Sequence, residues 1–424
     1  FKQKTAYEIP LRLVGSEMCI RDSYRSNPFS GGQGIYVKYL SRSLVKLGHE
    51  VTVFSGPPYP DLDSRVKLVK VPSLDLYSKK NKFSDVSIKE LRNLLNFYEW
   101  ISINSGGFSE PYTFGKRIKK LLKNKLNEFD VIHDNQSLCY ELLYFQKKIP
   151  LVTTIHHPIS KDLKYELKSI KSIFLKLLKI RWHSFLWMQT FVAKRLKNII
   201  AVSSSSKKDI HEDFKVDLNK ISVILNGIDN EIFFPQNDKT VTKRIVTTAS
   251  ADVPLKGLDF LLDAFSNLSK QYSDLELHVI GGKKEGGHTH RKIMELNIEK
   301  KVFFNNDLTF DEVRDVYCSA DLVVIPSLYE GFGFAVGEAM ACNKAVITTN
   351  GGAIPEVIGD CGIVVDTQDS LQLEEGIKKL FKDEVLKSKL ADKGYERAVR
   401  FLNWDIVASE VTKVYEESIK SFKK

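Results

Sequence analysis

Two glutamates, Glu330 and Glu338, flank a glycine-rich turn in the segment Glu330-Gly-Phe-Gly-Phe-Ala-Val-Gly-Glu338. The segment follows an apolar stretch, residues 322–327, and begins a helical pattern. Gly331 and Gly333 let backbone N–H groups approach a ligand closely, and the start of a helix offers unpaired donors and partial positive charge to a phosphate. Carboxylates beside such a turn can accept hydrogen bonds from sugar hydroxyls. The segment therefore suits a ligand that combines a diphosphate with a polyol, such as a nucleotide sugar.

The same spacing resembles the signature of a known family. A glutamate, seven residues and a second glutamate, with Gly-Phe-Gly after the first, is similar to the motif of the retaining glycosyltransferases of family 4. The resemblance implies that Glu338 binds the ribose hydroxyls of the nucleotide and that Glu330 lies near the donor sugar. Phe332, Gly333 and Phe334 would offer backbone contacts. The fold it implies is GT-B, an α/β architecture of two Rossmann-like, doubly wound parallel-sheet domains facing a cleft.

Lys256 is the cation best placed in the sequence to meet the donor phosphates. A Lys-Gly step, Lys256-Gly257, follows a predicted strand and precedes a predicted helix, and an ammonium group there can offset charge on a leaving diphosphate. Typical members of the resembled family carry an arginine five residues earlier. This chain has Ala251 at that position, which leaves one fixed cation fewer.

Other candidate residues come from both halves of the chain. Gly31 and Gly32 precede a helical pattern and suit close backbone approach to a diphosphate. His156 ends a predicted strand, where ligands bind in open α/β sheets, and the resemblance implies a contact with the donor sugar; His157 is the alternative.

Gly281 and Gly282 follow the predicted strand 275–280 and give room beside the base or ribose.

The five cysteines are scattered without C-x-x-C spacing, which indicates neither a zinc site nor a disulfide framework. We therefore expect no metal and no cofactor, since the nucleotide sugar is itself a substrate and the resembled family works without a metal.

Length and charge indicate two domains of different character. A chain of 424 residues is too long for one ordinary core. Residues 24–235 hold 34 Lys and Arg against 20 Asp and Glu, whereas residues 236–424 hold 25 against 30. We predict an N-terminal acceptor-side domain over 24–235, a nucleotide-sugar domain over 236–402 and a terminal helix, 403–424, that crosses back to the first domain. The basic first domain is expected to meet an acidic surface.

The first 23 residues resemble a sequence that is foreign to the protein. Residues 13–23 resemble the translation of a transposon end used in preparing sequencing libraries, so residues 1–23 are interpreted as an assembly scar. The alternative is a genuine strand over 11–20. With the scar excluded, the strand that leads into the first glycine turn is expected to be missing or to be imitated by the foreign residues.

Apolar runs alternate with helical patterns along the rest of the chain, as is typical of parallel sheets covered on both faces. The predicted strands are 50–55, 66–71, 131–134, 151–155, 199–202, 221–224, 245–248, 275–280, 302–304, 322–325, 345–348 and 362–365. In the second half, helices are predicted at 257–269, 311–319, 334–342 and 371–381.

Residues 161–199 carry a basic and apolar pattern of their own. Leucine, isoleucine and phenylalanine recur at helical spacing over 161–181, and ten Lys and Arg face only two acidic residues over 161–199. Such a helix can lie on an anionic membrane surface; the alternative is an ordinary domain helix with a solvated basic face. The membrane interpretation makes a lipid-linked acceptor plausible.

The resemblance to family 4 implies metal-independent transfer of a sugar, with retention, from a nucleotide-sugar donor to an acceptor hydroxyl, and we expect a glycan or lipid-linked acceptor. No apolar run is long enough to span a bilayer. The scattered cysteines fit a reducing cytoplasm, so we expect a cytoplasmic location, with peripheral binding at the inner membrane face if the membrane interpretation of residues 161–199 holds. Two alternatives stay open: another GT-B enzyme, such as a nucleotide-sugar epimerase, and a non-catalytic basic binding protein. No nucleic-acid partner is expected, because charge alone does not require the glycine turns.

Overall fold

The computed structural model describes residues 17–21, 32–76, 78–236, 240–241 and 243–423. The chain divides into two compact units. The first contains the chain up to Ala201, Lys207–Ile224 and the segment from Ala408 onward, and the second contains Val202–Ser206 and Leu225–Val407. Each unit is built around its own parallel β-sheet.

The first unit holds a seven-stranded parallel sheet with the order β3-β2-β1-β4-β5-β6-β7. Its strands are β1 (Glu17–Arg21), β2 (Glu50–Ser55), β3 (Lys67–Lys70), β4 (Val131–Asn135), β5 (Leu151–Ile155), β6 (Ile199–Ala201) and β7 (Ile221–Val223). The helices of this part of the chain are α1 (Gly32–Lys46), α2 (Ile88–Leu91), α3 (Leu94–Asn104), α4 (Glu110–Leu122), α5 (Glu141–Phe145), α6 (Ser160–Ser169), α7 (Ile173–Trp182), α8 (Leu186–Ala193) and α9 (Ser204–Phe214).

The second unit holds a six-stranded parallel sheet with the order β10-β9-β8-β11-β12-β13. Its strands are β8 (Arg244–Thr248), β9 (Glu276–Ile280), β10 (Val302–Asn305), β11 (Leu322–Ile325), β12 (Val346–Thr349) and β13 (Ile363–Val365). The helices that follow are α10 (Leu258–Ser269), α11 (His288–Glu295), α12 (Phe310–Ser319), α13 (Phe334–Ala341), α14 (Ile354–Ile358), α15 (Ser370–Lys382), α16 (Glu384–Arg400) and α17 (Trp404–Phe422).

Both sheets are doubly wound, as the sequence predicts. In each, the chain adds strands toward one edge and then returns past the first-laid strand to add the others on its far side. All predicted strands form within one or two residues of the expected bounds. Central strands such as β5 and β11 are buried along their whole length, because helices cover both faces of a parallel sheet. This burial is why β11 is an apolar run in the sequence and why β5 carries no charged residue.

The central place of the first sheet is taken by Glu17–Arg21. This strand, β1, pairs in parallel with β2 through Met18 and Val51 and with β4 through Met18 and Val131. The first strand is therefore not missing, because residues 17–21 of the segment interpreted as a scar form it. The origin of residues 1–23 stays a prediction.

Residues 161–181 do not form one continuous helix. Helix α6 ends at Ser169 and α7 begins at Ile173. The hydroxyl of Ser172 accepts a hydrogen bond from the N–H of Leu175, which is the usual work of a serine at a helix N-cap. The break separates the periodic apolar pattern into two short helices.

The terminal helix α17 contributes to the first unit from Ala408 onward. The Tyr415 hydroxyl lies 2.6 Å from Nδ1 of His133, and the Ser418 hydroxyl accepts a hydrogen bond from Asn198 at 2.9 Å. Both partners belong to the sheet of the first unit or to the turn that precedes β6. The end of the chain is thus an integral part of the unit that contains its beginning.

Candidate functional site

The second sheet changes its direction of strand addition between β8 and β11, and the candidate residues of this unit gather there. Side chains that follow adjacent parallel strands meet at the carboxyl edge of the sheet, where ligands bind in doubly wound folds. The loop after β8 leads to Lys256, and the loop after β11 carries Ser327 and Glu330. Residues 74 positions apart in the chain come into hydrogen-bond contact.

Lys256 and Glu330 form an ion pair at this edge. The Lys256 Nζ lies 2.8 Å from Oε1 of Glu330, and the hydroxyl of Ser327 donates to the same oxygen at 2.8 Å. The Lys256 side chain is 35% exposed and that of Glu330 18% exposed, so the ammonium group remains accessible from solvent. An incoming phosphate would compete with Glu330 for this ammonium group.

The turn that carries Lys256 packs against the end of β11. Gly257 has a φ of 64°, and a Cβ there would lie 2.0 Å from the carbonyl oxygen of Pro326. The N–H of Leu328 donates to the carbonyl of Leu255 at 2.8 Å. Because only glycine fits this approach, the Lys-Gly step seen in the sequence is a packing requirement as well as a feature of the site.

Glu338 lies in the second turn of α13 and accepts a hydrogen bond from Tyr317 of α12. The Tyr317 hydroxyl donates to Oε2 of Glu338 at 3.3 Å and lies 2.7 Å from the hydroxyl of Thr248. Burial raises the pKa of Glu338 to about 7, an effect that the Tyr317 hydrogen bond and the charge of Lys256 partly offset. The two glutamates of the motif therefore differ in environment, one in an ion pair and one held near its ionisation midpoint at neutral pH.

The N-terminus of α13 presents backbone donors, as predicted from the glycine turn. Gly333 is the N-cap residue with a φ of 102°, no side chain caps the helix, and its first turn contains no acidic residue. Phe332 is buried in the core, and its ring packs edge-on against Phe334 with 5.0 Å between centroids. The aromatic side chains thus pack the turn against the core. Contact of its backbone with a ligand stays a prediction.

Gly281 and Gly282 differ in what they permit. A Cβ on Gly281, at the end of β9, would lie 2.2 Å from the carbonyl oxygen of Ala249, whereas a Cβ on Gly282 would have no atom within 4 Å. The N–H of Ala251 donates to the carbonyl of Gly282 at 3.0 Å. Gly281 is therefore required by packing, and Gly282 leaves open space beside Ala251. Their contact with a base or ribose stays a prediction.

A second helix N-terminus in this unit is occupied by a side chain of the protein. The carboxylate of Glu356 accepts hydrogen bonds from the N–H groups of Ser204 and Ser205 at 2.7 and 2.8 Å. The Ser203 hydroxyl caps Ser206 at 2.9 Å and donates to the carbonyl of Gly331 at 3.0 Å. The serine run therefore has a structural role here, as a helix cap.

In the first unit, His156 lies buried at the end of β5. Its Nε2 is 2.7 Å from Oδ1 of Asn135, and its ring packs edge-on against Tyr36 with 4.9 Å between centroids. Asn135 donates through Nδ2 to the carbonyl of Gln33, so Oδ1 is an acceptor and the proton of His156 is assigned to Nε2. Burial, with smaller effects from His157 and another histidine, lowers the pKa of His156 to about 3. The ring is neutral at physiological pH.

The alternative histidine, His157, is partly exposed, and its carbonyl accepts a hydrogen bond from Gln136 at 2.7 Å. Gly32 begins α1 and is exposed, whereas Gly31 lies outside the described residues. A contact of His156 or His157 with a sugar, and of the glycines with a diphosphate, stays a prediction. Behind this edge, the buried His133 joins Thr154 to Tyr415 through its two ring nitrogens.

Three polar residues of the second unit were not identified from the sequence: Ser327, Tyr317 and Glu356. Ser327 ends the apolar stretch 322–327 that precedes the Glu330 turn, so its position alone could have suggested it. Tyr317 has no local signal, because its contact with Glu338 spans 21 residues. Within the described part of the chain, no group of three or more His, Cys, Asp or Glu residues could hold a metal ion.

Comparisons with known proteins agree with this geometry. Residues 30–232 match the family model Glycosyltransferase Family 4, and residues 229–397 match the model Glycosyl transferases group 1. The chain is 40% identical over 402 residues to the MMP alpha-(1->4)-mannosyltransferase of Mycolicibacterium hassiacum, an alignment that covers 94% of this chain and 97% of the relative.

Solved structures share the fold at low sequence identity. The sucrose-phosphate synthase of Thermosynechococcus elongatus superposes with a TM-score of 0.72 at 19% identity, covering 96% of this chain and all of the other. The Anabaena protein Alr3699/HepE in complex with UDP gives a TM-score of 0.66 at 15% identity, with 95% of this chain and all of the other covered. Together with the two doubly wound sheets, these likenesses establish the predicted GT-B fold.

The raised pKa of Glu338 predicts a stability difference that depends on pH. Between pH 4.5 and about 7 the folded protein holds a proton on Glu338 that the unfolded chain has released. This group therefore stabilises the fold fully below pH 4.5, and the contribution is lost as pH rises through about 7. Glu338→Gln, which cannot ionise, should gain stability relative to the parent protein as pH rises from 5 to 8, by at most about 3 kcal/mol.

Thermal or urea unfolding of both proteins across this pH range measures the difference. Glu356→Gln is the matched control, since Glu356 is also a hydrogen-bonded carboxylate of the second unit and undergoes the same substitution. A stability difference between Glu338→Gln and the parent that is the same at pH 5 and pH 8 would contradict the buried, proton-holding state of Glu338.

Proposed function

The chain belongs to glycosyltransferase family 4 and is an enzyme of the hexosyltransferase type with the GT-B fold, and from this premise we propose that it transfers a mannosyl group from a nucleotide-sugar donor to an acceptor hydroxyl with retention at the anomeric carbon. The observation that carries the proposal is the meeting of Lys256, Glu330 and Glu338 at the edge of the second sheet. An ammonium group, an uncapped helix N-terminus and two carboxylates match the parts of a nucleotide diphosphate sugar.

The donor would bind with its diphosphate between Lys256 and the start of α13. The ammonium group offers one positive charge, and the first-turn N–H groups behind Gly333 offer donors aligned with the helix dipole. Glu338 would accept hydrogen bonds from the ribose hydroxyls, and Glu330 from the sugar. The UDP complex of the structurally similar Anabaena protein supports a nucleotide ligand for this fold.

The transferred group is proposed from the relative that is 40% identical, whose name specifies an alpha-(1->4)-mannosyltransferase. An identity of this size over nearly the whole of both chains supports a shared sugar and a shared linkage. The linkage proposed for this chain is therefore an α-(1→4) bond to a hydroxyl of the acceptor.

The reaction needs a clamp for the leaving group more than a protein nucleophile. The bond between the anomeric carbon and the diphosphate oxygen breaks, and the electron pair leaves with the diphosphate. The acceptor oxygen bonds to the same face of the sugar, and its proton passes to the departing diphosphate. Lys256 and the α13 N-terminus would offset the charge that grows on the diphosphate, so the proposed reaction uses no metal.

An assay of transfer tests the proposal and separates it from the alternatives. A thermal-shift panel of UDP-, GDP- and ADP-sugars identifies the donor, and the mannose derivative of the base that binds is then incubated with an α-mannoside acceptor. We expect a product whose anomeric carbon keeps the donor configuration in NMR spectra. An isomerised donor without product would indicate an epimerase, and the absence of any nucleotide-sugar binding would favour a non-catalytic basic protein.

Replacing Lys256 tests the leaving-group clamp. Lys256→Ala should lower kcat at least about a hundredfold, in the range seen for loss of one donor to a developing negative charge, while the unfolding temperature changes little. Lys292→Ala is the matched control, because Lys292 makes an ion pair of the same length, 2.8 Å, with Asp263 elsewhere in the second unit. Turnover of Lys256→Ala equal to that of the control would remove Lys256 from the mechanism.

The partner proposed for the first unit is an anionic membrane surface, and α7 is its main element. No residue of α7 is buried, and Ile173, Phe174, Leu177 and Ile180 are 76%, 68%, 60% and 49% exposed. This is the reverse of an ordinary domain helix, which buries its apolar face. Exposed apolar side chains in such number indicate a surface that is covered by a partner.

The charge around α7 favours lipid headgroups over a second copy of the chain. Residues 167–208 contain ten Lys and Arg and no Asp or Glu, so two such surfaces would repel each other. Lys and Arg near an anionic bilayer each contribute about 1 kcal/mol to binding, and exposed Leu and Phe side chains can enter the headgroup boundary. No helix among the described residues is long and apolar enough to cross a membrane. The acceptor would then be a glycan carried on a lipid at that surface.

Vesicle sedimentation tests the membrane proposal. The parent protein should bind vesicles containing phosphatidylglycerol and not pure phosphatidylcholine vesicles, and the triple variant Phe174→Ser, Leu177→Ser, Ile180→Ser should lose this binding. A control variant, Leu371→Ser with Val385→Ser, changes residues of the second unit that are 67% and 80% exposed. Equal binding by both variants, or none by the parent protein, would overturn the membrane proposal without touching the transferase proposal.

A further inference from the structure

Tyr317 and Thr248 form a hydrogen-bonded chain that ends on Glu338. Tyr317 lies near the end of α12, is completely buried, and donates its hydroxyl proton to Oε2 of Glu338 at 3.3 Å. Because that proton is used, Thr248 must be the donor in the 2.7 Å contact between the two hydroxyls. The chain therefore runs in one direction, from the end of β8 through α12 to the carboxylate on α13.

This chain limits the orientation of the carboxylate. Glu338 stands on α13, and Tyr317 approaches it from a different helix, so the two side chains have no local reason in the sequence to meet. With Oε2 engaged by Tyr317, rotation about the last bond of the Glu338 side chain costs a hydrogen bond in a buried place, which is an expensive loss. A ligand would then meet the other oxygen, Oε1, in a fixed position.

Two groups influence the charge of Glu338, and both favour the ionised carboxylate: Tyr317 on α12 and Lys256 on the turn after β8. Cys342, one turn later on α13, is held as a neutral thiol because its hydrogen bond with Cys318 and its burial raise its pKa. Burial acts against ionisation, and the resulting pKa of Glu338 is about 7. If the Tyr317 hydroxyl is removed, Lys256 is the remaining group that favours the ionised Glu338 carboxylate.

We propose that Tyr317, backed by Thr248, is a positioning residue that holds the Glu338 carboxylate ionised and turned toward the ribose diol of the bound nucleotide. The inference rests on the proposed function, since it assumes that Glu338 accepts hydrogen bonds from the ribose. Tyr317 itself touches no substrate, and its effect passes through Glu338. Nucleotide affinity accordingly depends on the ionisation of Glu338.

Titration calorimetry with UDP and with GDP, each from pH 5.5 to pH 9, tests the proposal on the full chain. Affinity of the parent protein should fall as pH drops below about 7. Tyr317→Phe keeps the buried ring but removes the donor, so it should bind nucleotide about tenfold more weakly at pH 7 and recover much of that loss at pH 9. Thr248→Val should shift the pH profile in the same direction by a smaller amount.

Glu338→Gln distinguishes the possible outcomes. In the Glu338→Gln background, adding Tyr317→Phe should leave nucleotide affinity unchanged at every pH, because the group through which Tyr317 acts has lost its charge. A loss in Tyr317→Phe that is independent of pH, or that persists in the Glu338→Gln background, would overturn the positioning role and indicate packing instead. Wild-type affinity of Glu338→Gln itself would overturn the proposed function of this site rather than the role of Tyr317 alone.

Discussion

The close approach of the Lys256 turn to the end of β11 is the contact on which the second unit's site depends. A parallel sheet places the ends of β8 and β11 side by side, but strand pairing alone leaves the loops beyond them unfixed. Gly257 fixes the loop after β8 against the loop after β11, because without a side chain its backbone can lie against the carbonyl of Pro326. The position of one glycine thereby sets the distance between an ammonium group and a carboxylate that belong to different loops.

The two glutamates of the motif show how one spacing produces two chemical environments. Glu330 lies in a loop, shares its oxygen with Lys256 and Ser327, and carries its charge in an ion pair. Glu338 lies on a helix against the core, where burial opposes its charge and Tyr317 supports it. The same residue type can therefore hold a cation in one place and respond to pH in the other, which the spacing of eight residues does not reveal.

Much of the fold could be predicted from the sequence because the two sheets are parallel and buried. Strand β11 is apolar along its length, β5 is a run of apolar and threonine residues, and the helices between the strands keep a regular period, so their order and bounds are visible in the chain. The glycine turns at Gly257 and Gly333 could be found for the same reason, since each sits where a strand pattern gives way to a helix pattern. The resemblance to family 4 placed these turns at one edge of a sheet.

What could not be predicted depends on contacts between distant segments. The approach of Tyr317 to Glu338 and the occupation of the Ser204 helix start by Glu356 are set by how helices pack on the sheet, and no local period encodes them. The apolar repeat over 161–181 predicts one helix, but the chain forms two, and Ser172 caps the start of the second. The role of Glu17–Arg21 also follows from the three-dimensional arrangement, since pairing uses backbone groups and accepts many side chains.

The place of β1 has a consequence for how the first unit tolerates truncation. The strand lies between β2 and β4 and shares backbone hydrogen bonds with both, so its removal would divide one sheet into two pieces. Each piece would expose a row of unsatisfied amide and carbonyl groups, a template for association with other chains. Removal of residues 1–23 would therefore favour aggregation. The residues that resemble a foreign sequence thus hold the two halves of the sheet together.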